Sequence, residues 1–430
     1  MPPLQNKEWR MAGWVYRIVL WLALPWLFID SLRRAGKAPA SDRIWLAQWG
    51  RLSPQLPTGA IWLHAVSLGE VRAARPLVAA LRQRWPEQSI MISTTTETGA
   101  QAARALGVPH FYAPFDYAFV QRHVFRRLRP RVLILMETEL WPNWLRVAEE
   151  RTVPVMLVNA RLSDCSFARY QRWGGRLLQE ALERIRLICT QSATDRARFA
   201  MLIAPTGQTE IQDCGNIKYD VPLTDVVSWS AGDRPVWLAA STHPGEEAAV
   251  LAAHRQVVAQ VPDALLVLVP RHPERAAAIQ ALIAESGFVG LTGTDTTPVA
   301  PDTQVFLLAQ TGVLMRFFAS IPVVFMGGSL VPVGGHNPIE PALFGRAVLT
   351  GPQTKNFRAI YQQLADRHAV RIVTEAAELG SAVLSTWRAP GEWGAAGERA
   401  RMVVVENRGA TQRILAELDR VLSAESFVGD

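Results

Sequence analysis

Two series of short apolar runs, separated by spacers long enough for helices, constrain the fold of this chain most strongly. Runs rich in valine, isoleucine and leucine are typical of parallel strands whose two faces are both covered by helices. The first series comprises residues 61–66, 89–94, 131–137, 153–160 and 186–192. The second comprises residues 235–241, 264–270, 304–309, 321–328 and 347–351. The pattern predicts an α/β protein with two parallel sheets.

The chain length and the break between the two series predict two domains. A chain of 430 residues exceeds what one hydrophobic core normally holds. We predict a Rossmann-like domain at residues 36–220, an interdomain linker at 221–235, and a second Rossmann-like domain with C-terminal helices at 236–430. Ligands of doubly wound sheets bind beyond the carboxyl ends of the strands. We therefore expect both domains to face a cleft that holds the site.

The composition and the net charge of the chain indicate which class of molecule it binds. Apolar residues make up 49% of the chain and charged residues 19%, as in globular proteins. The net charge of +7 favours anionic partners: nucleic acid, a phosphorylated substrate or a membrane surface. Basic stretches interleaved with aromatic residues, which are typical of RNA-binding motifs, do not occur, so we expect no nucleic-acid partner.

The cysteines and histidines indicate which redox compartment the protein occupies and whether it binds a metal ion. The three cysteines are widely spaced, which argues against a disulfide framework and favours a reducing compartment. The eight histidines show no paired spacing typical of metal ligands. We therefore predict no metal site.

The N-terminal segment, residues 1–35, is predicted to anchor the chain to a membrane. Residues 18–29 are uncharged, and Arg33 and Arg34 follow them. Because a spanning helix needs roughly 20 apolar residues, this run is short for a span. A signal peptide cleaved near residues 38–40 and a buried helix of the first domain are the other interpretations. We favour an uncleaved anchor with tryptophans at the membrane interface and arginines on anionic headgroups.

Carboxylates follow two predicted strands of the first domain. Glu70 falls at a helix start, where the helix dipole stabilises a carboxylate and lowers its pKa. That position suits a structural cap as well as it suits a catalytic base. Glu137 and Glu139 follow the third strand, and two carboxylates so close are costly unless cations, protons or ligand hydroxyls accompany them.

The strand ends of the second domain suit a nucleotide. Arg271 lies where a guanidinium can bind phosphate. Glycines allow a close backbone approach and offer N–H groups to phosphate, and they stand at 327, 328, 334 and 335. Asn337, Pro338 and Glu340 open the next helix, and a carboxylate there suits the two hydroxyls of a ribose. An ordinary capped helix explains the glycines and Pro338, but it does not explain Glu340 beside Asn337.

Seven motifs together resemble those of the 3-deoxy-D-manno-octulosonic acid (Kdo) transferases. They are WLHAVSLGE, METELWPN, NARLS, GNIKYD, STHPGEE, PRHPER and GGSLVPVGGHNPIEP, in the order expected for that family. The resemblance implies a GT-B glycosyltransferase fold with an N-terminal membrane-anchor helix. It also implies inverting transfer of Kdo from CMP-Kdo to the 6′-hydroxyl of a phosphorylated lipid A precursor, lipid IVA. The implied location is the cytoplasmic side of the cell inner membrane, in lipopolysaccharide biosynthesis, without a metal or other cofactor.

The resemblance also assigns roles to residues. Glu70 matches the general base that takes the proton of the acceptor hydroxyl, which fits an ionised carboxylate. Glu137 and Lys218 match positions that steady the transition state, and Glu340 would bind the ribose hydroxyls. The positions that match CMP-binding segments are Pro270, Arg271, Thr311, Gly312, Val313, Asn337, Pro338, Ile339 and Glu340.

One segment departs from the family pattern and keeps two rival interpretations open. Where the family typically reads DTxGEL, this chain has AQTGVL, so Ala309 and Val313 replace acidic residues. A turn that contacts the nucleotide through its backbone tolerates this change, whereas a lost donor-orienting side chain alters donor affinity. One rival is a GT-B transferase that uses another nucleotide-sugar. The other is a non-catalytic relative that binds donor or lipid without turnover.

Overall fold

A computed structural model describes residues 16, 18–29, 44–203, 208–222 and 227–426. The chain forms two compact units. The first comprises Met1–Asp220 and Arg408–Asp430, and the second comprises Val221–Asn407. Each unit is built on a seven-stranded parallel sheet, as the two series of apolar runs predict.

The first unit is a doubly wound sheet with the strand order β3-β2-β1-β4-β5-β6-β7. Its strands are β1 (Ile61–His64), β2 (Ile90–Thr94), β3 (His110–Tyr112), β4 (Val132–Met136), β5 (Val155–Ala160), β6 (Leu187–Thr190) and β7 (Glu210–Asp213). Alternate residues of β1 face opposite sides of the sheet, so Ile61 and Leu63 join one apolar cluster and Trp62 joins the other. The strand order reverses between β1 and β4, where ligands of doubly wound sheets bind.

Helices cover both faces of this sheet. They are α1 (residues 18–29), α2 (Ile44–Gln48), α3 (Leu68–Arg84), α4 (Glu97–Ala105), α5 (Ala118–Leu128), α6 (Pro142–Glu150), α7 (Asp164–Arg169), α8 (Gly175–Glu183) and α9 (Ala193–Leu202). Within the described part of the chain, none of the helices combines the length and apolar character needed to cross a membrane. Apart from residues 16 and 18–29, the predicted anchor segment 1–35 lies outside the described residues.

The second unit repeats this plan with the strand order β10-β11-β9-β8-β12-β13-β14. Its strands are β8 (Val236–Thr242), β9 (Leu265–Pro270), β10 (Gly290–Gly293), β11 (Val305–Leu308), β12 (Val323–Met326), β13 (Ala347–Thr350) and β14 (Val370–Ile372). Its helices are α10 (Glu247–Val258), α11 (Ala276–Glu285), α12 (Leu314–Ser320), α13 (Ile339–Leu343), α14 (Arg358–Asp366), α15 (Ala376–Arg388) and α16 (Pro390–Asn407). Here the order reverses between β8 and β12.

The last helix, α17 (Ala410–Ser426), belongs to the first unit. Ile414 and Leu418 are fully buried in an apolar cluster of the first sheet. The carboxylate of Asp220 accepts the backbone N–H groups of Gly409 (2.7 Å) and Thr411 (2.6 Å) and so fixes the start of this helix. The expectation that residues 236–430 form one domain is therefore wrong for its C-terminal end, because the apolar face of α17 is buried against the first sheet.

The segment predicted as a linker, residues 221–235, is only partly described, because residues 223–226 are outside the described residues. Its described C-terminal part packs on the second unit. Trp229 is buried there and stacks on Phe306, with ring centroids 6.2 Å apart.

Candidate functional site

The carboxylate of Glu70 is held at the end of β1 by a capping box. The side chain of Ser67, the N-cap of α3, accepts the Glu70 backbone N–H and donates its hydroxyl to Glu70 Oε1 (3.1 Å). The backbone N–H of Val66 donates to Glu70 Oε2 (2.8 Å). The local sequence VSLGE builds this variant of the capping box, because the serine N-cap accepts the N–H of the glutamate three residues later and that glutamate reaches back to the Val66 N–H and the Ser67 hydroxyl.

The pKa of Glu70 lies close to neutrality. It is raised from 4.5 to about 7, mainly by burial and also by the nearby carboxylates of Glu137 and Glu139, which together outweigh the hydrogen bonds from Val66 and Ser67. The expectation that a helix-start position lowers this pKa is wrong, because desolvation outweighs the cap. A carboxyl group whose pKa is near the working pH is substantially ionised and still binds a proton strongly enough to act as a general base.

Glu137 and Lys218 form an ion pair at the same edge of the first sheet. Lys218 Nζ lies 3.0 Å from Glu137 Oε1, and both side chains are largely buried. Lys218 belongs to the short 3₁₀ turn Ile217–Tyr219, whose start is capped by the side chain of Asn216. Glu137 follows β4 with a φ of +58°, a conformation that costs a non-glycine residue free energy and that clusters at functional sites. The three residues predicted as catalytic are thus brought to the reversal between β1 and β4.

Two further residues at this edge were not assigned from the sequence. Asn159 is the penultimate residue of β5, has a φ of +55°, is fully buried, and accepts the backbone N–H of Ile217 through Oδ1 (3.0 Å). It therefore fixes the turn that carries Lys218. Burial, followed by the charge of Glu137, raises the pKa of Glu139, which accepts a hydrogen bond from Trp141 Nε1 (3.1 Å). The sequence signals for Asn159 are its place near the end of a strand and its position as the first residue of the motif NARLS.

In the second unit, the residues predicted to bind the nucleotide follow three different strands. Pro270 is the buried last residue of β9, and Arg271 follows it with its backbone N–H bonded to Thr242 O (2.9 Å). The turn 311–313 links β11 to α12. Gly312 has a φ of +82°, so the turn needs glycine for its conformation, and Val313 packs against the apolar core. The valine that replaces a family glutamate is therefore directed at the core.

The glycine-rich segment does not offer its N–H groups to a ligand in the way that the sequence suggested. Gly327 N–H donates to Ala240 O, and Gly334 and Gly335 N–H both donate to Gly328 O. Gly328 N–H donates to the buried carboxylate of Glu246 (2.6 Å). The expected phosphate-binding role of these four N–H groups is therefore wrong. The glycines serve close approach instead, since a Cβ on Gly327 would lie 2.7 Å from Ser241 O.

Asn337 to Glu340 form the entry into α13. Asn337 Oδ1 accepts the Ile339 N–H (3.1 Å), Pro338 occupies the N-cap position, and Ile339 is buried in the helix. Glu340 stands in the first turn and is partly exposed. These contacts are those of an ordinary capped helix. The partial exposure of Glu340 also allows its carboxylate to accept hydrogen bonds from a diol.

Among the described residues, no group of three or more histidine, cysteine, aspartate or glutamate side chains is arranged to hold a metal ion.

Comparison with known proteins relates these features to a family. Residues 42–221 match the family model described as 3-deoxy-D-manno-octulosonic-acid transferase (kdotransferase). The chain is 38% identical to the 3-deoxy-D-manno-octulosonic acid transferase of Haemophilus influenzae over 85% of this chain and 88% of that protein. It is 33% identical to the enzyme of the same name from Bordetella pertussis, over 95% of this chain and 99% of that protein.

A solved structure supports the fold. The putative UDP-N-acetylglucosamine 2-epimerase from Listeria monocytogenes superposes with a TM-score of 0.56 at 15% identity, over 86% of this chain and 98% of that one. At this identity the likeness concerns the fold alone. Together with the two parallel sheets, it confirms the predicted GT-B architecture.

Proposed function

Because the chain belongs to the 3-deoxy-D-manno-octulosonic acid transferase family, it is a Kdo-transferring glycosyltransferase, and we propose that it moves Kdo from CMP-Kdo to lipid IVA. The acceptor atom in this proposal is the 6′-hydroxyl of the lipid A precursor. The observation that carries the proposal is the Glu70 carboxyl, with a pKa of about 7, beside the Glu137–Lys218 ion pair at one sheet reversal.

The first unit supplies the proton acceptor. Glu70 takes the proton of the acceptor hydroxyl as its oxygen attacks the anomeric carbon of Kdo. Transfer with inversion needs one base and a leaving group, here CMP. Lys218 contributes positive charge to the site, and Glu137 holds its ammonium group at 3.0 Å. A fixed cation in a largely buried site stabilises negative charge that develops during reaction more strongly than a solvated one does.

The second unit binds the donor in this proposal. Arg271 binds the phosphate of CMP, Glu340 accepts hydrogen bonds from the ribose hydroxyls, and the turn 311–313 contacts the nucleotide through its backbone. The inward packing of Val313 supports a backbone contact, because that side chain is directed at the apolar core. Neither a metal nor another cofactor is part of the proposed reaction.

Helix α1 attaches the enzyme to the cytoplasmic side of the inner membrane in this proposal. Trp21 (64% exposed), Leu22 (74%) and Trp26 (65%) form an apolar face directed at solvent. The opposite face, with Leu20, packs on the first unit, and the hydroxyl of Tyr117 donates to Leu20 O (2.7 Å). An exposed apolar helix face with tryptophans is typical of helices that lie in a membrane interface.

The activity is tested with CMP-Kdo, generated in the assay, and tetra-acylated lipid A precursor as acceptor. We expect mass spectrometry to detect an acceptor that has gained one or more Kdo units. A parallel panel of UDP-sugars, with the same acceptor, is expected to give no product. The folded state of the sample is checked by circular dichroism.

Two outcomes contradict the proposal. Transfer from a UDP-sugar in place of CMP-Kdo assigns the chain to a different donor. Absence of any product from folded protein that still binds CMP contradicts the proposed acceptor and leaves the donor assignment intact.

A further inference from the structure

Two histidines meet at the strand reversal of the second unit. His243 follows β8, and His336 lies in the segment between β12 and α13. Their Nε2 atoms are 2.9 Å apart, and the two rings lie end to end, with centroids 5.1 Å apart and an interplanar angle of 11°. One Nε2 donates and the other accepts, so a neutral pair holds one proton between the rings. The reversal between β8 and β12 is where doubly wound sheets bind ligands.

A buried carboxylate builds this arrangement. Glu246 is fully buried and accepts four backbone N–H groups, two on each carboxylate oxygen. The donors are His243 (2.9 Å), Gly328 (2.6 Å), Ser329 (2.9 Å) and Leu330 (2.9 Å). The same side chain therefore fixes both the loop after β8, which bears His243, and the start of the connection from β12 to α13, which bears His336 further along.

The close packing of the pair depends on Gly328. A Cβ there would lie 3.0 Å from His336 Cδ2 and 3.4 Å from His243 Cδ2. Its φ of +66° is also one that residues with a side chain rarely adopt. Glycine is therefore required at position 328 both for its backbone conformation and for the room that it leaves to the imidazole pair.

The charged neighbours of the pair come from three sides. Glu246 and Glu247 of the α10 region raise the pKa of His243, whereas burial, His272 and Arg271 lower it, and burial is the largest effect. Behind His336, the hydroxyl of Tyr361 donates to its carbonyl oxygen (3.0 Å), and Lys355 lies beside Gly334. His243 is thus close enough to Arg271 to feel its charge, and His336 directly precedes the segment Asn337 to Glu340; Arg271 and this segment both belong to the proposed donor site.

Protonation changes what the pair can bind. In the neutral state, one outward Nδ1 is a donor and the other is an acceptor. When the pair holds one additional proton, the shared hydrogen bond remains, both Nδ1 atoms carry hydrogen, and the pair has a charge of about +1. In that state either Nδ1 can donate a charge-assisted hydrogen bond to an oxyanion, and such bonds are stronger than those between neutral groups.

We propose that the His243–His336 pair recognises the phosphate of the sugar nucleotide and takes up a proton from solvent when that phosphate binds. The inference rests on the proposed function, because it places the donor phosphate in the second unit. Glu246 is a positioning residue for the pair. The step needs no partner other than solvent, which supplies the proton on binding and receives it on release.

Isothermal titration calorimetry of CMP in buffers of different ionisation enthalpy tests this proposal. The number of protons taken up per CMP is compared between wild type, His243→Gln and His336→Gln at pH values between about 6 and 8. CMP titrates in the same range, but its own contribution cancels in the comparison. We expect wild type to take up as much as about one proton more than either variant. We also expect either variant to bind CMP about tenfold more weakly and cytidine with unchanged affinity.

His272→Gln is the matched control, because it removes a neighbouring imidazole and leaves the Nε2–Nε2 hydrogen bond in place. Its ring centroid lies 5.5 Å from that of His243. We expect this variant to keep the proton uptake of wild type. Equal proton uptake and equal CMP affinity in wild type and both pair variants overturn the inference and leave the proposed function intact. Failure of wild type to bind CMP overturns both.

A measurement on wild type makes the test independent of variant folding. Protein labelled with ¹³C in histidine is titrated by NMR with and without CMP. We expect two coupled histidine resonances to titrate at higher pH in the complex, because a bound anion favours the protonated pair. If CMP leaves every histidine titration unchanged, the inference is wrong.

Discussion

At the residue scale, Glu70 shows how two opposing effects set one pKa. Its capping hydrogen bonds favour the carboxylate, whereas burial and two neighbouring carboxylates favour the neutral acid. Burial is the largest contribution, so the pKa rises to about 7. The sequence identifies the cap, but it contains no measure of how many atoms surround the carboxyl group.

Replacement of Glu70 by glutamine tests both the catalytic role and the raised pKa. We expect kcat to fall by about 100- to 10,000-fold, because an amide cannot accept the proton. We expect wild-type kcat/KM to rise with pH and to level off above about pH 7, following ionisation of Glu70. Glu87→Gln, an exposed position just beyond α3, is the control and should retain the wild-type profile. Near wild-type turnover in Glu70→Gln would leave Glu70 with the role of a cap alone.

The same substitution has a predicted effect on stability. Between pH 4.5 and about 7, folded wild type holds a proton on Glu70 that the unfolded chain has released. Wild-type stability therefore falls as pH rises through this interval. Glutamine does not titrate, so Glu70→Gln lacks this loss of stability. The free energy of unfolding of the variant, relative to that of wild type, should therefore increase by on the order of 1–3 kcal/mol between pH 4.5 and about 7. Urea unfolding at several pH values measures this difference, and a constant difference contradicts the raised pKa.

At the element scale, the strands that the sequence missed share one property. All ten predicted strands are present, and the four missed strands, β3, β7, β10 and β14, are the edge strands of the two sheets. Edge strands have one neighbour and are partly exposed, so they need no continuous apolar run. In β7 none of the four residues is fully buried. The pattern of apolar runs therefore predicts the interior strands of a sheet and does not predict its edge strands.

Helix α1 provides the prediction at this scale. The double variant Trp21→Ser with Leu22→Ser removes exposed apolar groups, so stability should hardly change. We expect its affinity for anionic phospholipid vesicles to fall by at least about tenfold, because each side chain contributes roughly 1.5–3 kcal/mol when buried in an apolar phase. Vesicle flotation measures the bound fraction.

The control for this prediction is a second pair of exposed apolar residues, Val289 (51%) and Ile372 (53%), in the second unit. Val289→Ser with Ile372→Ser should bind vesicles as wild type does. Equal loss in both double variants would show that α1 has no special role. Point variants are preferable to deletion of residues 1–35, because deletion also uncovers Trp49, whose ring contacts Phe28 edge-on at 6.1 Å.

At the scale of the whole molecule, the chain enters the first unit twice. Asp220 marks the end of the first passage and accepts the N–H groups that open α17 after the second unit is complete. Leu418 of α17 is fully buried against the first sheet, although about 200 residues of sequence separate it from the rest of that core. The stability of the first unit therefore depends on the last helix of the chain.

Leu418→Ala tests this dependence against Leu379→Ala, a fully buried leucine of α15 in the second unit. We expect each substitution to cost about 2–5 kcal/mol in its own unit. Amide hydrogen exchange, read by mass spectrometry, should accelerate in β1 and α3 for Leu418→Ala and in β8 and β9 for Leu379→Ala. Acceleration in the second unit on replacement of Leu418 contradicts the assignment of α17.

The sequence by itself determined the two parallel sheets, the family and the capping box of Glu70, because apolar runs, motif order and local hydrogen bonding are properties of neighbouring residues. Only the tertiary structure decided the pKa of Glu70, the return of α17 to the first unit, and the partners of the glycine N–H groups. Each of these depends on atoms brought together from distant parts of the chain. Glu246 and Gly328, which are 82 residues apart, meet in one hydrogen bond that spacing alone does not predict.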